Sequence, residues 1–166
     1  MSIIPGTDGA VVLAMCNIVV NDMDKMDTVF LKAKTNPPYL IGPDGRYARD
    51  EETRRCLVWD VSEGRAVPHD DKDIPNYEAA RYIDYALEGG FQVNGIKCQP
   101  AFQRIKEHLK KYTPEMASQV STVPAGTIHR IAKEFAQEAK IGSTVSIDGH
   151  EVPFRPVSAV LFRGGR

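Results

Sequence analysis

The chain of 166 residues carries 21 lysines and arginines against 22 aspartates and glutamates, with 42% hydrophobic residues and a formal net charge of -1. This is the composition of an ordinary globular domain, and the length allows one sizeable hydrophobic core. The near-zero charge provides no field that would collect a phosphate polymer, so we expect no nucleic-acid partner. The densest apolar run, residues 10–20, is shorter than the roughly 20 residues that span a bilayer, so we expect no membrane span.

The cysteines and histidines are scattered along the chain. Cys16, Cys56 and Cys98 match no zinc, iron-sulfur or CxxC spacing, and the four histidines form no paired motif. We therefore expect reduced thiols packed in the core, Cys16 among them, and no self-contained metal site. The first residues lack a basic stretch and a cleavage site, so no targeting signal is predicted within this chain. Its location, cytoplasmic or periplasmic, stays open.

The first half of the chain predicts helices followed by a long irregular stretch. Apolar residues recur at helical spacing over residues 10–20, and Thr7 or Asp8 is expected to cap that helix with a side-chain oxygen. Because the helix is apolar on nearly every face, we expect it to be buried. A second helix is predicted near residues 27–33. Residues 34–90 are rich in turn residues and charge, which predicts a loop-rich insertion with short strands.

Two hairpins are predicted in the second half of the chain. An Asn-Gly pair at residues 94–95 is flanked by alternating apolar residues, and this pair readily adopts the positive φ angles of a tight hairpin turn. An Asp-Gly pair at residues 148–149 predicts a second hairpin by the same reasoning.

Three helices are predicted between these hairpins, and a strand after them. Phe102, Ile105 and Leu109 form one apolar stripe, Thr113 is expected to cap the next helix, and a third helix follows residue 122. Residues 157–162 are apolar enough to form a buried strand, which leads into a glycine-rich end. The succession of helix, strand and glycine-rich turn is typical of an α/β fold.

The strongest local signal for chemistry is the stretch Pro-Gly-Thr-Asp-Gly at residues 5–9, which opens the first helix. Gly6 and Gly9 permit close backbone approach, and free amides at a helix start can hold a phosphate. The carboxylate of Asp8 could accept hydrogen bonds from the N1–H and N2–H donors of guanine, a pair that adenine lacks. A simple capped helix explains the same residues, so the local pattern alone leaves both interpretations open.

Three stretches in a fixed order resemble the molybdopterin oxidoreductases of the dimethyl sulfoxide reductase superfamily. They are residues 3–15 with Pro-Gly-Thr-Asp, residues 112–136 with Tyr-Thr-Pro-Glu and a helix of Ile-x-x-Ile-Ala-x-x-Phe-Ala type, and residues 148–165 with Arg-Pro and Phe-Arg-Gly-Gly. Catalytic subunits of that family hold molybdenum or tungsten between two molybdopterin guanine dinucleotides. The resemblance implies that residues 1–166 form a single three-layer, dinucleotide-binding-like (Rossmann-type) α/β segment with inserted β-hairpins.

The resemblance also implies which residues meet the cofactor. It assigns the contact with a guanine to Asp8 and the shaping of the loop to Gly6 and Thr7. Arg163 and Gly164 are further candidate cofactor-binding residues, because an arginine beside glycines at a strand's carboxyl end can hold phosphate or pterin. No catalytic residue and no metal ligand are predicted, since the family's cysteine cluster, metal-ligating residue and second pterin-binding domain are not recognisable here.

We therefore expect an incomplete part of a larger subunit, not active on its own, that binds the guanine end of one pterin dinucleotide. Its expected partners are the remaining domains of a catalytic subunit, together with an iron-sulfur electron-transfer subunit. Two alternatives stay open: a non-catalytic binding or assembly module without cofactor, and an independent small enzyme.

Overall fold

The computed structural model describes residues 3–69 and 84–159. This part of the chain combines helices with small antiparallel sheets, which is consistent with an α/β fragment. It divides into two compact units, one within Met1–Met26 and Lys106–Arg166 and the other within Asp27–Ile105.

The described helices, in chain order, are α1 (Asp8–Asn17), a π-helix (Ile18–Asp22), α2 (Thr28–Lys34), α3 (Ala101–Leu109), α4 (Pro114–Ser121) and α5 (Ala125–Glu138). The described strands are β1 (Leu40–Ile41), β2 (Leu57–Asp60), β3 (Arg65–Pro68), β4 (Phe91–Val93), β5 (Ile96–Pro100), β6 (Thr144–Ile147) and β7 (His150–Pro153). The helices and hairpins predicted from the sequence are confirmed by these bounds.

The core of the first unit is formed by α1, the π-helix, α4 and α5. Its buried side chains are Val11, Ala14, Ile18, Ala117, Val123, Ile128 and Ala132. The members on α5 lie four residues apart, so they share the helix face that turns inward. This core holds α1, and with it the start of the helix that carries Asp8.

The link between α3 and α4 confirms a cap predicted from the sequence. Thr113 Oγ1 accepts a hydrogen bond from the Met116 amide at 3.1 Å, and Pro114 occupies the first turn, where its missing N–H costs nothing. The helix ends at Thr122, whose φ of 65° lies in the left-handed region. The two capped ends fix the length of α4.

Three expectations about burial are wrong. The first helix is not buried on nearly every face, because Val12 is 42% exposed and Cys16 is exposed rather than packed in the core. Ile105 is exposed as well, although it continues the predicted stripe of α3. In the predicted core strand, residues 157–159 are irregular and Ser158 and Ala159 are exposed, while residues 160–162 lie outside the described residues. Only long-range packing could have revealed these exposures.

The second unit is built from two small antiparallel sheets. One has the strand order β1-β5-β4 and the other pairs β2 with β3. Asn94 and Gly95 have φ angles of 49° and 78°, as the predicted turn between β4 and β5 requires. The rings of Trp59 and Phe91 stack with centroids 4.5 Å apart. The tryptophan therefore contributes to the packing of this unit.

Every strand pair among the described residues is antiparallel. The predicted three-layer Rossmann-type arrangement, which requires parallel strands, is thus not seen in residues 3–69 and 84–159. The interpretation of residues 1–166 as one segment, with a loop-rich insertion at 34–90, stays a prediction. Within the described chain, no helix is both long enough and apolar enough to cross a membrane.

Cys16 and Cys98 should differ in thiol reactivity. Burial raises the pKa of the Cys98 thiol, with a smaller contribution from the Asp44 carboxylate, and the side chain is 3% exposed. Desolvation raises the pKa of Cys16 too, but that residue is exposed. Because the thiolate is the reacting species, we expect a disulfide reagent at pH 8 to modify Cys16 in the folded chain well before Cys98. Mass spectrometry of peptides measures this, and faster modification of Cys98 would contradict the described packing.

Candidate functional site

The segment before α1 is a tight turn that requires a glycine. The Thr7 amide donates to the Ile4 carbonyl at 3.2 Å, which closes a four-residue turn with Pro5 and Gly6 at its centre. Gly6 has a φ of +82°, as a type II turn demands at its third position. Pro5 restricts its own φ angle to the value that the second position of such a turn requires. Pro5 and Gly6 together therefore fix the direction in which the chain enters the helix.

Thr7 occupies the N-cap position but does not cap the helix with its side chain. Its hydroxyl donates to the Ile4 carbonyl at 2.7 Å, so it reinforces the preceding turn. The expected side-chain cap, from Thr7 or Asp8, is therefore wrong. Within the described ranges the amides of Asp8 and Gly9 make no hydrogen bond, so two donors at the positive end of α1 point outward.

Asp8 stands beside these amides as the first residue of α1. Its side chain is exposed and makes no ion pair with any described residue. A Cβ atom built on Gly9 would meet no described atom within 4 Å, so the space beside the two amides is open. An exposed carboxylate and two outward amides on a fixed turn can together bind a ligand that has both hydrogen-bond donors and a negative charge.

Ser121 anchors this turn to the rest of the first unit. The Ile4 amide donates to the Ser121 carbonyl at 3.3 Å, and the Ser121 hydroxyl donates to the Ala117 carbonyl at 2.6 Å. The same hydroxyl accepts from the Val123 amide at 3.2 Å. The role of Ser121 could not be predicted from the sequence. The residues around Ser121 do not indicate that its carbonyl accepts a hydrogen bond from the amide of residue 4.

Two asparagines hold the far end of α1. Asn17, which is buried, donates from Nδ2 to the Tyr112 carbonyl at 3.2 Å. Asn21 donates to the Asn17 side-chain oxygen at 2.8 Å and to the Lys106 carbonyl at 3.1 Å. Because buried polar groups are costly unless they are hydrogen-bonded, this network favours one placement of the helix. Both ends of α1 are thus tied to later parts of the first unit.

The candidate residues divide into two groups. Gly6, Thr7 and Asp8 come together on the turn, whereas Arg163 and Gly164 lie outside the described residues. No group of three or more metal-ligating side chains occurs in the described part of the chain. In the described residues, the turn therefore presents one exposed carboxylate and two amides without a hydrogen-bond partner.

Comparisons with known proteins show what the chain is similar to. It is 32% identical to a sulfite dehydrogenase subunit of Allochromatium vinosum, with 96% of the chain matched, and 30% identical to the chlorate reductase alpha subunit of Ideonella dechloratans, with 80% matched. The perchlorate reductase alpha subunit of Dechloromonas aromatica is 28% identical over 80% of the chain. The chain resembles part of molybdopterin oxidoreductase catalytic subunits.

The matched region is a small part of each relative. The chain spans 18% of the sulfite dehydrogenase subunit, 15% of the chlorate reductase subunit, and 18% of the perchlorate reductase subunit. No protein-family profile matches the chain. The similarity to these subunits supports the superfamily that the motifs indicate, and leaves the roles of individual residues to be tested.

Proposed function

We propose that this chain is a segment of a molybdenum or tungsten bis(molybdopterin guanine dinucleotide) oxidoreductase and binds the guanine end of one dinucleotide through Gly6, Thr7 and Asp8. The observation that carries the proposal is the exposed Asp8 carboxylate beside two outward amides, on a turn fixed by Pro5 and Gly6. The similarity to oxidoreductase subunits supports it independently.

Guanine and a carboxylate are complementary in their hydrogen bonds. The N1–H and N2–H donors of the base lie side by side, so one carboxylate accepts both, and such charge-assisted bonds contribute roughly 1.5–3 kcal/mol each. Adenine presents an acceptor and a single donor on that edge, and would leave the carboxylate partly unsatisfied. Asp8 would therefore select guanine over adenine.

The cofactor would supply the redox chemistry of its metal, and this chain would supply binding and orientation. Gly6 and Thr7 shape the turn, and Asp8 carries the contact with the base. Arg163 and Gly164 are proposed as further contacts with phosphate or pterin. We propose that the metal ligand and the Rossmann-type layering are completed by the remaining domains of the protein.

The activity of the whole protein is proposed from its relatives' names. They include two reductase subunits and one subunit of a sulfite dehydrogenase, so we propose an oxidoreductase of undetermined substrate. In it, this chain would be assembled with the remaining catalytic domains and with an iron-sulfur electron-transfer subunit. The alternative, a binding or assembly module without cofactor, explains the same turn as a structural entry to α1.

Replacing one side chain tests the guanine contact. We expect Asp8→Asn to weaken binding of guanosine diphosphate about 10- to 100-fold, because an amide loses the charge and presents a donor where the base also donates. Isothermal titration of the full chain with guanosine and adenosine diphosphates gives both affinities. Asp22→Asn, which alters another exposed carboxylate of the first unit, is the matched control and should bind like the wild type.

The same titrations separate the two functions. Selective guanine binding that depends on Asp8 supports the cofactor-binding segment. Equal affinities for the two nucleotides, or no binding by the wild-type chain, would favour the module without cofactor.

A further inference from the structure

Two tight turns of the second unit bring several arginines to one place. In the first turn the Gly42 amide donates to the Arg46 carbonyl at 2.9 Å, and in the second the Asp50 amide donates to the Arg55 carbonyl at 2.9 Å. Bridges pair Ile41 with Tyr47 and Arg49 with Cys56. Each bridge closes one of the two turns, and sequence analysis assigned this region only to a loop-rich insertion.

A pocket of about 600 Å³ opens between these turns. Its lining residues are Asp44, Gly45, Arg46, Tyr47, Arg49 and Arg54. Three are cationic and one is anionic, so the lining carries a formal charge of about +2 at neutral pH. A concave surface of this charge attracts anions more strongly than isolated surface arginines do.

The guanidinium groups are largely available for a ligand. Arg46 and Arg54 make no side-chain ion pair or hydrogen bond with any residue in the described ranges, and Arg49 spends one N–H on the Arg54 carbonyl at 2.8 Å. The carboxylate of Asp44 accepts from the Arg46 amide at 3.0 Å, so it serves its own turn. Glu51 lines an adjoining cleft, but among the described residues no ion pair neutralises the guanidinium groups of Arg46 and Arg54.

The wall of the pocket beside Tyr47 is held in place. The Tyr47 hydroxyl accepts from Asn36 Nδ2 at 2.9 Å, and its ring meets the ring of Tyr39 edge to face with centroids 5.5 Å apart. On the first turn, Arg104 donates to the Gly42 carbonyl at 3.3 Å. A pocket with fixed walls loses less conformational entropy when a ligand binds.

Arg54 occupies a backbone conformation that does not suit it. Its φ of 60° lies in the left-handed region, where glycine or asparagine would be less strained. Residues held in such conformations cluster at functional sites. Here the strained residue is also one of the three arginines that line the pocket.

We propose that this pocket binds a multiply charged oxyanion, namely a phosphate or diphosphate group. Arginine forms paired, charge-assisted hydrogen bonds with such groups, and the lining contributes three arginines. All six lining residues belong to the second unit, whereas Gly6, Thr7 and Asp8 belong to the first. The proposal therefore does not rest on the proposed function.

Titration of the full chain with inorganic pyrophosphate at low ionic strength tests the site. We expect saturable binding that weakens at least about tenfold in Arg46→Gln and in Arg54→Gln, and that falls as salt rises. Arg65→Gln is the matched control: this exposed arginine of the same unit pairs with Glu63 and should be dispensable. A parallel titration with glycerol 3-phosphate distinguishes a single phosphate ester from a diphosphate as the better ligand.

A second variant distinguishes loss of pyrophosphate binding from loss of folding. Arg54→Gly suits the positive φ, so we expect an unchanged or higher melting temperature together with weakened pyrophosphate binding. The proposal would be overturned by absence of saturable binding to the wild-type chain, by equal losses in the Arg65 control, or by full affinity in Arg54→Gly.

Discussion

Replacing Ile128 with alanine is expected to lower the free energy of unfolding of the first unit by about 2–5 kcal/mol. Ile128 is completely buried, and it lies in one cluster with Val11 and Ala14 of α1 and Ala117 of α4. Removing three carbon atoms there leaves a cavity that the close packing of three helices cannot fill. Denaturant unfolding followed by circular dichroism, or hydrogen exchange of α1 and α5 amides, measures the loss.

The matched control for this variant is Val120→Ala. Val120 lies on α4 in the same unit and is 45% exposed, so its truncation should change stability by no more than about 0.5 kcal/mol. A similar loss in both variants, or none in Ile128→Ala, would contradict the assignment of the core. Since this core holds α1, Ile128→Ala should also weaken the binding of any ligand at Asp8.

In the second unit, Gly89→Ala is expected to destabilise by roughly 2–4 kcal/mol. Gly89 has a φ of +125°, which side-chain-bearing residues rarely adopt, and forcing one there costs about 1–3 kcal/mol. A Cβ atom would also lie 2.7 Å from Cζ of Phe91. The ring would have to leave its stack on Trp59, which contributes about another 0.5–1.5 kcal/mol.

The neighbouring glycine provides the control. A Cβ on Gly90 would sit 3.6 Å from Cε of Lys97, an ordinary contact with a flexible side chain, and Gly90 has no positive φ. Gly90→Ala should therefore stay within about 0.5 kcal/mol of the wild type. Tryptophan fluorescence during urea unfolding reports on Trp59 directly, and equal stability of the two variants would contradict the described stack.

Features set by a few adjacent residues could be predicted from the sequence. The Asn94-Gly95 and Asp148-Gly149 turns need positive φ angles, which these residues tolerate, and both hairpins are present. Thr113 caps α4 through an amide three residues away. In each case the chemistry that fixes the structure is contained within one turn of chain.

Features set by distant contacts could not be predicted. The hydroxyl of Thr7 is a local exception, since it donates to the carbonyl of Ile4, three residues earlier, although a threonine at that position commonly caps the helix. Ser121 meets Ile4 across more than a hundred residues, and Cys16 is exposed because no described element covers that face of α1. The pocket at Arg46 and Arg54 is lined by residues 44–54, but no local pattern shows that the two turns enclose a common space.

In the candidate site, too, some features could be predicted from the sequence and others could not. The sequence placed Gly6, Thr7 and Asp8 at a helix start, and the structure puts them on one turn with two outward amides. The sequence predicts that Gly6 allows close approach of a ligand, and its φ of +82° shows that the turn itself requires a glycine there. The contact of Asp8 with guanine rests on the resemblance and stays a prediction.

The most direct test of that contact compares two nucleotides on two proteins. Inosine diphosphate differs from guanosine diphosphate by the missing N2 amino group, so titrating both into the wild type and Asp8→Asn isolates the bond from that group to the carboxylate. We expect the wild type to prefer guanosine diphosphate about tenfold or more, and the variant to lose this preference. A preference of the same size in both proteins would show that Asp8 does not read guanine.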